Sequence, residues 1–147
     1  MKLTTMTQIT IDGVMQGNGA PSDDRRNGFE RGGWALGKGD DETRTFITRT
    51  YQRAEAFLFG RRTYEQAQPG GELQVHGSGI LTQWLLENDL VDEMTLIVIP
   101  VILGQGARLF PQTGPDLALD LVESRVDSKG VAIQVYRPAG RPRYATA

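Results

Sequence analysis

The sequence predicts an α/β protein, a mixed sheet with helices on its faces. Three observations carry this. Runs rich in β-branched or apolar residues recur along the chain, each bounded by glycine or proline. Two of them, Ala54–Phe59 and Leu73–His76, pass through a glycine into the start of a helix. The last two, Leu117–Val126 and Val131–Arg137, flank Asp127-Ser128-Lys129-Gly130, a hairpin turn that makes them antiparallel.

Composition bounds the function. The chain has 147 residues, enough for one domain over 1–147 with a sizeable core. Apolar residues make up 39% and charged residues 23%, as in ordinary globular proteins. A net charge of −2 with no basic block leaves no electrostatic footprint for nucleic acid. The absence of cysteine excludes disulfide and thiolate chemistry, and a single histidine, His76, argues against a His-rich metal site. Met1–Met6 has no charged leader followed by an apolar run, and no stretch approaches a membrane span. A cytoplasmic protein without membrane partners is therefore the expectation.

Leu3–Ile11 alternates with a period of two and is read as a strand. It ends at the turn Asp12-Gly13, where Asp12 either holds a substrate or caps the turn. Gln16–Lys38 is a long aperiodic segment with Phe29, Trp34 and Leu36 embedded. Such a segment either covers a site, its aromatics shielding a ligand, or forms a lobe tacked to the core. Asp40-Asp41-Glu42 place negative charge before a helix over Thr43–Gln52, with Phe46, Ile47 and Thr50 as its buried face.

After the strand Ala54–Phe59 comes Gly60, then Arg61-Arg62-Thr63 at a helix start. This is a phosphate cradle if the arginines are engaged, and a solvated surface if they are not. Pro69-Gly70-Gly71 breaks the chain before Leu73–His76. The connection between these two strands is near the minimum for a parallel crossover. Gly77-Ser78-Gly79 then turns the chain into a helix whose free N–H groups suit a phosphate, although such turns are also common where nothing binds. His76 is read as a packed residue bonded to a backbone group rather than a ligand contact. The following helix is given Leu81, Trp84, Leu85 and Leu90 as its buried stripe. Met94–Val101 is apolar on both faces, a central strand that Pro100 ends. Leu103–Phe110 is a glycine-rich loop that either forms a ligand wall or simply turns the chain, and Pro138–Ala147 a frayed tail.

Three stretches together resemble the dihydrofolate reductase-like family: Gly60-Arg61-Arg62-Thr63-Tyr64-Glu65, Gln74-Val75-His76-Gly77-Ser78-Gly79 and Pro100-Val101-Ile102-Leu103-Gly104-Gln105-Gly106-Ala107-Arg108-Leu109-Phe110. The closer similarity is to the branch around the reductase domain of the bifunctional riboflavin-biosynthesis deaminase-reductase. Thr7–Gly13 fits the first strand and its Asp-Gly turn. The resemblance implies a mostly parallel central sheet with a C-terminal antiparallel hairpin. It implies NADPH as cofactor, with Gly60, Arg61, Arg62 and Thr63 as the first phosphate turn and Gly77, Ser78 and Gly79 as the second. It implies hydride transfer to a C=N or C=O group of a small heterocyclic substrate. Asp12 is placed near substrate and nicotinamide as the catalytic candidate, with Glu30 and Trp34 as substrate contacts. It implies a homodimer. One departure stands out: family members carry several tens of additional residues after the Arg-Thr-Tyr-Glu turn, forming two strands at one edge of the sheet. Here the expected edge is Ala54–Phe59. The alternative reading is a non-catalytic, dimeric ligand-binding relative that has lost the adenosine part of the cofactor site.

Overall fold

The computed structural model describes residues 1–22, 24–58, 71–77, 79–110 and 112–146. Six strands form one sheet: β1 (Lys2–Thr10), β2 (Ala56–Phe57), β3 (Glu72–His76), β4 (Glu93–Ile99), β5 (Leu119–Val126) and β6 (Ala132–Pro138). Their order is β2-β3-β1-β4-β6-β5. β2, β3, β1 and β4 are mutually parallel, and β6 and β5 run antiparallel. The fold class read from the sequence therefore holds, including the parallel pairing of β2 with β3 and the C-terminal hairpin.

β1 and β4 are central, and their alternation feeds two cores. On one face Leu3 and Ile9 meet Leu73, Val75, Met94 and Leu96, covered by Leu85 of helix α2 (Gly79–Glu87). On the other, Met6, Ile97, Ile99 and Ile133 pack with Val14, Phe29, Trp34 and Leu103 from the loops. Helix α1 (Asp41–Arg53) lies on this second face. β4 ends at Ile99, one residue before Pro100, which cannot donate a ladder hydrogen bond. Among the described residues β2 is the terminal strand on its side, where the shortened edge was expected.

Helix α1 begins two residues earlier than the sequence suggested, because Asp40 is its N-cap and accepts the Thr43 N–H at 3.1 Å. Thr43 and Thr50 are buried, while Phe46 and Ile47 are half-buried against the core.

Helix α2 corrects the expected stripe. Leu81, Thr82, Leu85 and Leu86 face the sheet side, whereas Trp84 is 54% exposed and Leu90 is also exposed. The segment Ile80-Leu81-Thr82-Gln83-Trp84-Leu85-Leu86 carries two apolar faces, and periodicity alone does not choose between them. Leu90 lies beyond the helix. The Leu90 N–H bonds the Leu85 carbonyl at 3.0 Å and the Asp89 N–H bonds that of Leu86 at 3.2 Å. With Asp89 at φ +55° this is a Schellman end.

The tail is tied along part of its length. The Ala118 N–H donates to the Gly140 carbonyl and the Ala139 N–H to that of Ala118, both at 2.8 Å, and Asp116 holds Arg141 and Tyr144. No helix among the described residues is long and apolar enough to cross a membrane.

Candidate ligand-binding site

The carboxyl ends of β3 and β1 open on one cavity of about 550 Å³. Its floor is the turn from β3 into α2. Gly77 sits at φ +70°, a left-handed conformation that glycine adopts without a Cβ penalty. Gly79 begins α2, so the unbonded N–H groups of the first helical turn and the positive end of the dipole lie at this cavity. A Cβ on Gly79 would stand 2.4 Å from the Met15 Sδ, so a side chain there would push the flexible Met15 side chain aside.

Two loops wall the cavity, the one after β1 and the one after β4, and they are stitched together. Val14 and Arg108 form an antiparallel bridge. The Met15 N–H donates to the Ala107 carbonyl at 2.9 Å and the Leu109 N–H to that of Gly13 at 3.0 Å. Buried Gln16 is the hub. Its Nε2 donates to the Asp24 and Arg26 carbonyls at 3.0 and 2.9 Å, its Oε1 accepts the Ala107 N–H at 2.9 Å, and its carbonyl accepts the Trp34 indole N–H at 2.8 Å.

Asp12 fastens the same junction. Its carboxylate accepts the Thr10 hydroxyl and the N–H groups of Leu103 at 3.2 Å and Gly104 at 2.8 Å. The Arg108 Nε donates to the Asp12 carbonyl at 3.0 Å. The Thr10 hydroxyl, and then the Gly104 and Leu103 N–H groups, outweigh the effect of burial and hold the Asp12 carboxyl at about 2. It is ionised at neutral pH, with no proton to give.

Gly77 and Gly79 line the cavity, while Asp12 does not line it and is tied to it through Arg108. Glu30 is exposed on the far loop, where its N–H meets the Gln105 Oε1 at 3.2 Å, and it does not line the cavity. Trp34 is 6% exposed and packs in the second core. Gly60, Arg61, Arg62, Thr63 and Ser78 lie outside the described residues. His76 is half-buried, stacked on Tyr51 at 4.6 Å, with its Nε2 against the Gln74 Oε1 at 2.8 Å. Its partner is thus a side chain. Burial pushes its pKa down, so the ring is neutral at pH 7.

The sequence reading missed Gln16, Asn18 and Arg108. Arg108 lay in a recognised glycine-rich loop, and its position after Gly104 and Gly106 was the available signal. Gln16 and Asn18 sit in a polar segment where nothing distinguishes a buried amide from a solvated one.

Residues 65–133 match the family model described as the RibD C-terminal domain. Among curated proteins, the uncharacterized protein YyaP of Bacillus subtilis (strain 168) is 35% identical over 68 residues. That match covers 46% of this chain and 36% of the relative, about a third of the relative's length. A putative riboflavin biosynthesis protein from Shewanella sp. PV-4 superposes with a TM-score of 0.68 at 16% identity, covering 95% of this chain and 99% of that one. A pyrimidine reductase-like protein from Corynebacterium diphtheriae gives 0.67 at 9% identity, covering 94% and 92%. A deaminase/reductase from Thermotoga maritima gives 0.60 at 12% identity, covering 94% of this chain and 56% of that one. At such identities the structural likeness establishes the fold. The resemblance read from the sequence holds: the architecture is the dihydrofolate reductase-like one, and the matches are to riboflavin-biosynthesis and pyrimidine reductase-like proteins.

Proposed function

We propose that this chain, which carries the RibD C-terminal domain pattern over residues 65–133, is a nicotinamide-dependent reductase of the riboflavin-pathway type. One observation carries the reading: the glycine turn after β3 opens the start of α2 onto a cavity walled by the β1 and β4 loops. The residues fit a dinucleotide. The N–H groups at the start of α2 suit the pyrophosphate, and Arg108 stands at the same cavity as a cation. NADPH bound there supplies a hydride for a C=N or C=O group of a small heterocycle.

The chain's own part is positional. Gln16 and the Asp12 carboxylate fix the two walls, so that bound partners are held in register and water is displaced. Asp12 acts through the loop it anchors. The proton that accompanies reduction then comes from solvent.

Fluorescence titration with NADPH and NADH in parallel tests this. Trp84 is the reporter, one helical turn beyond Ile80, which lines the cavity. Saturable quenching, tighter for NADPH, is the expected result. No binding by either nucleotide, confirmed by calorimetry, transfers the assignment to a non-catalytic ligand-binding relative. The terminal position of β2 among the described residues favours that second reading, since it fits a shortened cofactor half.

The homodimer is part of the proposal. β5 presents Leu119, Leu121, Val122 and Val126 as exposed apolar residues on a strand whose only partner among the described residues is β6. Light scattering is expected to give twice the chain mass, and a clean monomer removes this element.

A further inference from the structure

Behind the cavity just described lies a second one of about 240 Å³, between α1, the loop around Gly37 and the face of β1 and β4. Ile47, Ile97 and Ile99 make it apolar. Asn18 lines both cavities and so stands at their boundary. Its Nδ2 donates to the Gln8 Oε1 at 3.2 Å, and Gln8 lines the second cavity from β1.

The hydrogen-bonding side chains of this second cavity are Gln8, Asn18, Thr43 and Arg44. Thr43 is committed, since its hydroxyl donates to Asp127 at 2.7 Å. Arg44 pairs with Asp41 outside. No carboxylate lines the cavity. What remains is the amide pair. One bond between two side-chain amides leaves a free carbonyl oxygen on one and a free NH₂ on the other, whichever way each amide is turned. Neither the Asn18 Oδ1 nor the Gln8 Nε2 has a partner among the described residues.

We propose that the Asn18–Gln8 pair reads a neutral, planar amide edge, a C=O beside an N–H, at the boundary of the two cavities. The apolar walls exclude water from one side. A ring seated here takes the free donor and acceptor out of water, so a ring lacking that edge leaves them unmatched and is rejected. The chemistry has two possible sources. One is the carboxamide of a nicotinamide ring reaching through from the nucleotide cavity. The other is a ring lactam of a substrate seated between Ile47 and Ile97. The proposal rests on the reductase reading for the first source only.

The test is binding to the whole protein by calorimetry and ligand-observed NMR. Three probes are used: 2′-phospho-ADP-ribose, which lacks the nicotinamide ring, NADPH, and uracil, which offers a lactam edge and no nucleotide. Wild type is compared with Asn18→Leu, Gln8→Leu and the isosteric Asn18→Asp, with thermal melting as the check on folding. The expected result is unchanged affinity for 2′-phospho-ADP-ribose in Gln8→Leu, since Gln8 lines the second cavity and not the nucleotide cavity. At least one amide probe is expected to weaken by about tenfold. Loss confined to NADPH assigns the pair to the carboxamide, and loss confined to uracil assigns it to the substrate. Uracil binding that weakens in the variants, in a protein that binds neither nucleotide, sinks the reductase reading and keeps the amide pair. Variants that bind both amide probes within about twofold of wild type overturn the proposal. So does a wild type that binds neither amide probe.

Discussion

Asp127→Ala is expected to lose about 3 kcal/mol of stability, read as a lower urea midpoint at unchanged slope. Asp127 is 8% exposed, at the turn between β5 and β6. Its carboxylate accepts four hydrogen bonds: from the Thr43 hydroxyl at 2.7 Å and from the N–H groups of Lys129, Val131 and Asp40 at 2.8, 2.9 and 2.9 Å. Two of these donors belong to the hairpin, and two to the start of α1. The side chain therefore closes the turn and locks the hairpin to the helix that roofs the second cavity. Removing it strands four donors, several of them away from water, and that desolvation cost exceeds the net value of the bonds themselves. Asp127→Asn does little better, because its NH₂ faces donors. Burial pushes the Asp127 carboxyl up, but the Thr43 hydroxyl and the three N–H groups prevail and hold it at about 2, below the ordinary 3.8. A carboxylate with a depressed folded pKa stabilises fully above the unfolded value and loses that contribution as protons bind. Wild type should therefore lose stability between about pH 4 and pH 2, and Asp127→Ala should show a shallower acid limb in the same window. Identical acid limbs would show that the four bonds carry no such weight.

How much of this was legible beforehand follows from what each residue does locally. β1, β4 and the hairpin announced themselves, because period-two alternation, a two-sided apolar run and a glycine turn are local signals that the sheet merely confirms. The glycine turn at Gly77 was legible for the same reason, since its chemistry is written in consecutive residues. α2 was legible as a helix but not in its orientation. Two of its faces are apolar, and the choice is made by Leu3, Leu73 and Met94, side chains of three strands that only the sheet brings together under the helix. Gln16 and Asp127 were illegible in their roles because their partners lie 91 and 84 residues away. A buried polar side chain gains its meaning from donors that only the tertiary fold brings near. Asp12 lay between these cases. The sequence placed it at the end of β1, yet only the N–H groups of Leu103 and Gly104 show that its carboxylate is occupied in holding a loop.

Gly106→Ala is expected to be the most damaging single-methyl change in the β4 loop, at about 3 kcal/mol, with ligand affinity falling alongside stability. Two costs combine. Gly106 has φ +110°, beyond the left-handed helical well that Asn or Asp tolerates, so any side chain strains the backbone there. A Cβ would also come within 2.8 Å of both the Phe29 Cε2 and the Val14 Cγ1. Neither neighbour is the free end of a flexible chain. Phe29 is 2% exposed and Val14 fully buried, both in the core formed by Met6, Ile97 and Ile99. The loop must therefore lift, and the residues that follow it are Ala107 and Arg108. Lifting breaks the bond from the Ala107 N–H to the Gln16 Oε1 and moves Arg108 away from the nucleotide cavity. Gly140→Ala supplies the control. Gly140 also has a positive φ, +80°, but a Cβ there meets nothing within 4 Å and the residue is remote from the cavity, so about 1 kcal/mol and unchanged ligand binding are expected. Urea denaturation and nucleotide titration of the two variants side by side separate backbone strain from the close approach of Gly106 to the core. Equal losses in both would mean that Val14 and Phe29 yield to the methyl, and that the β4 loop is not held as rigidly as its hydrogen bonds require.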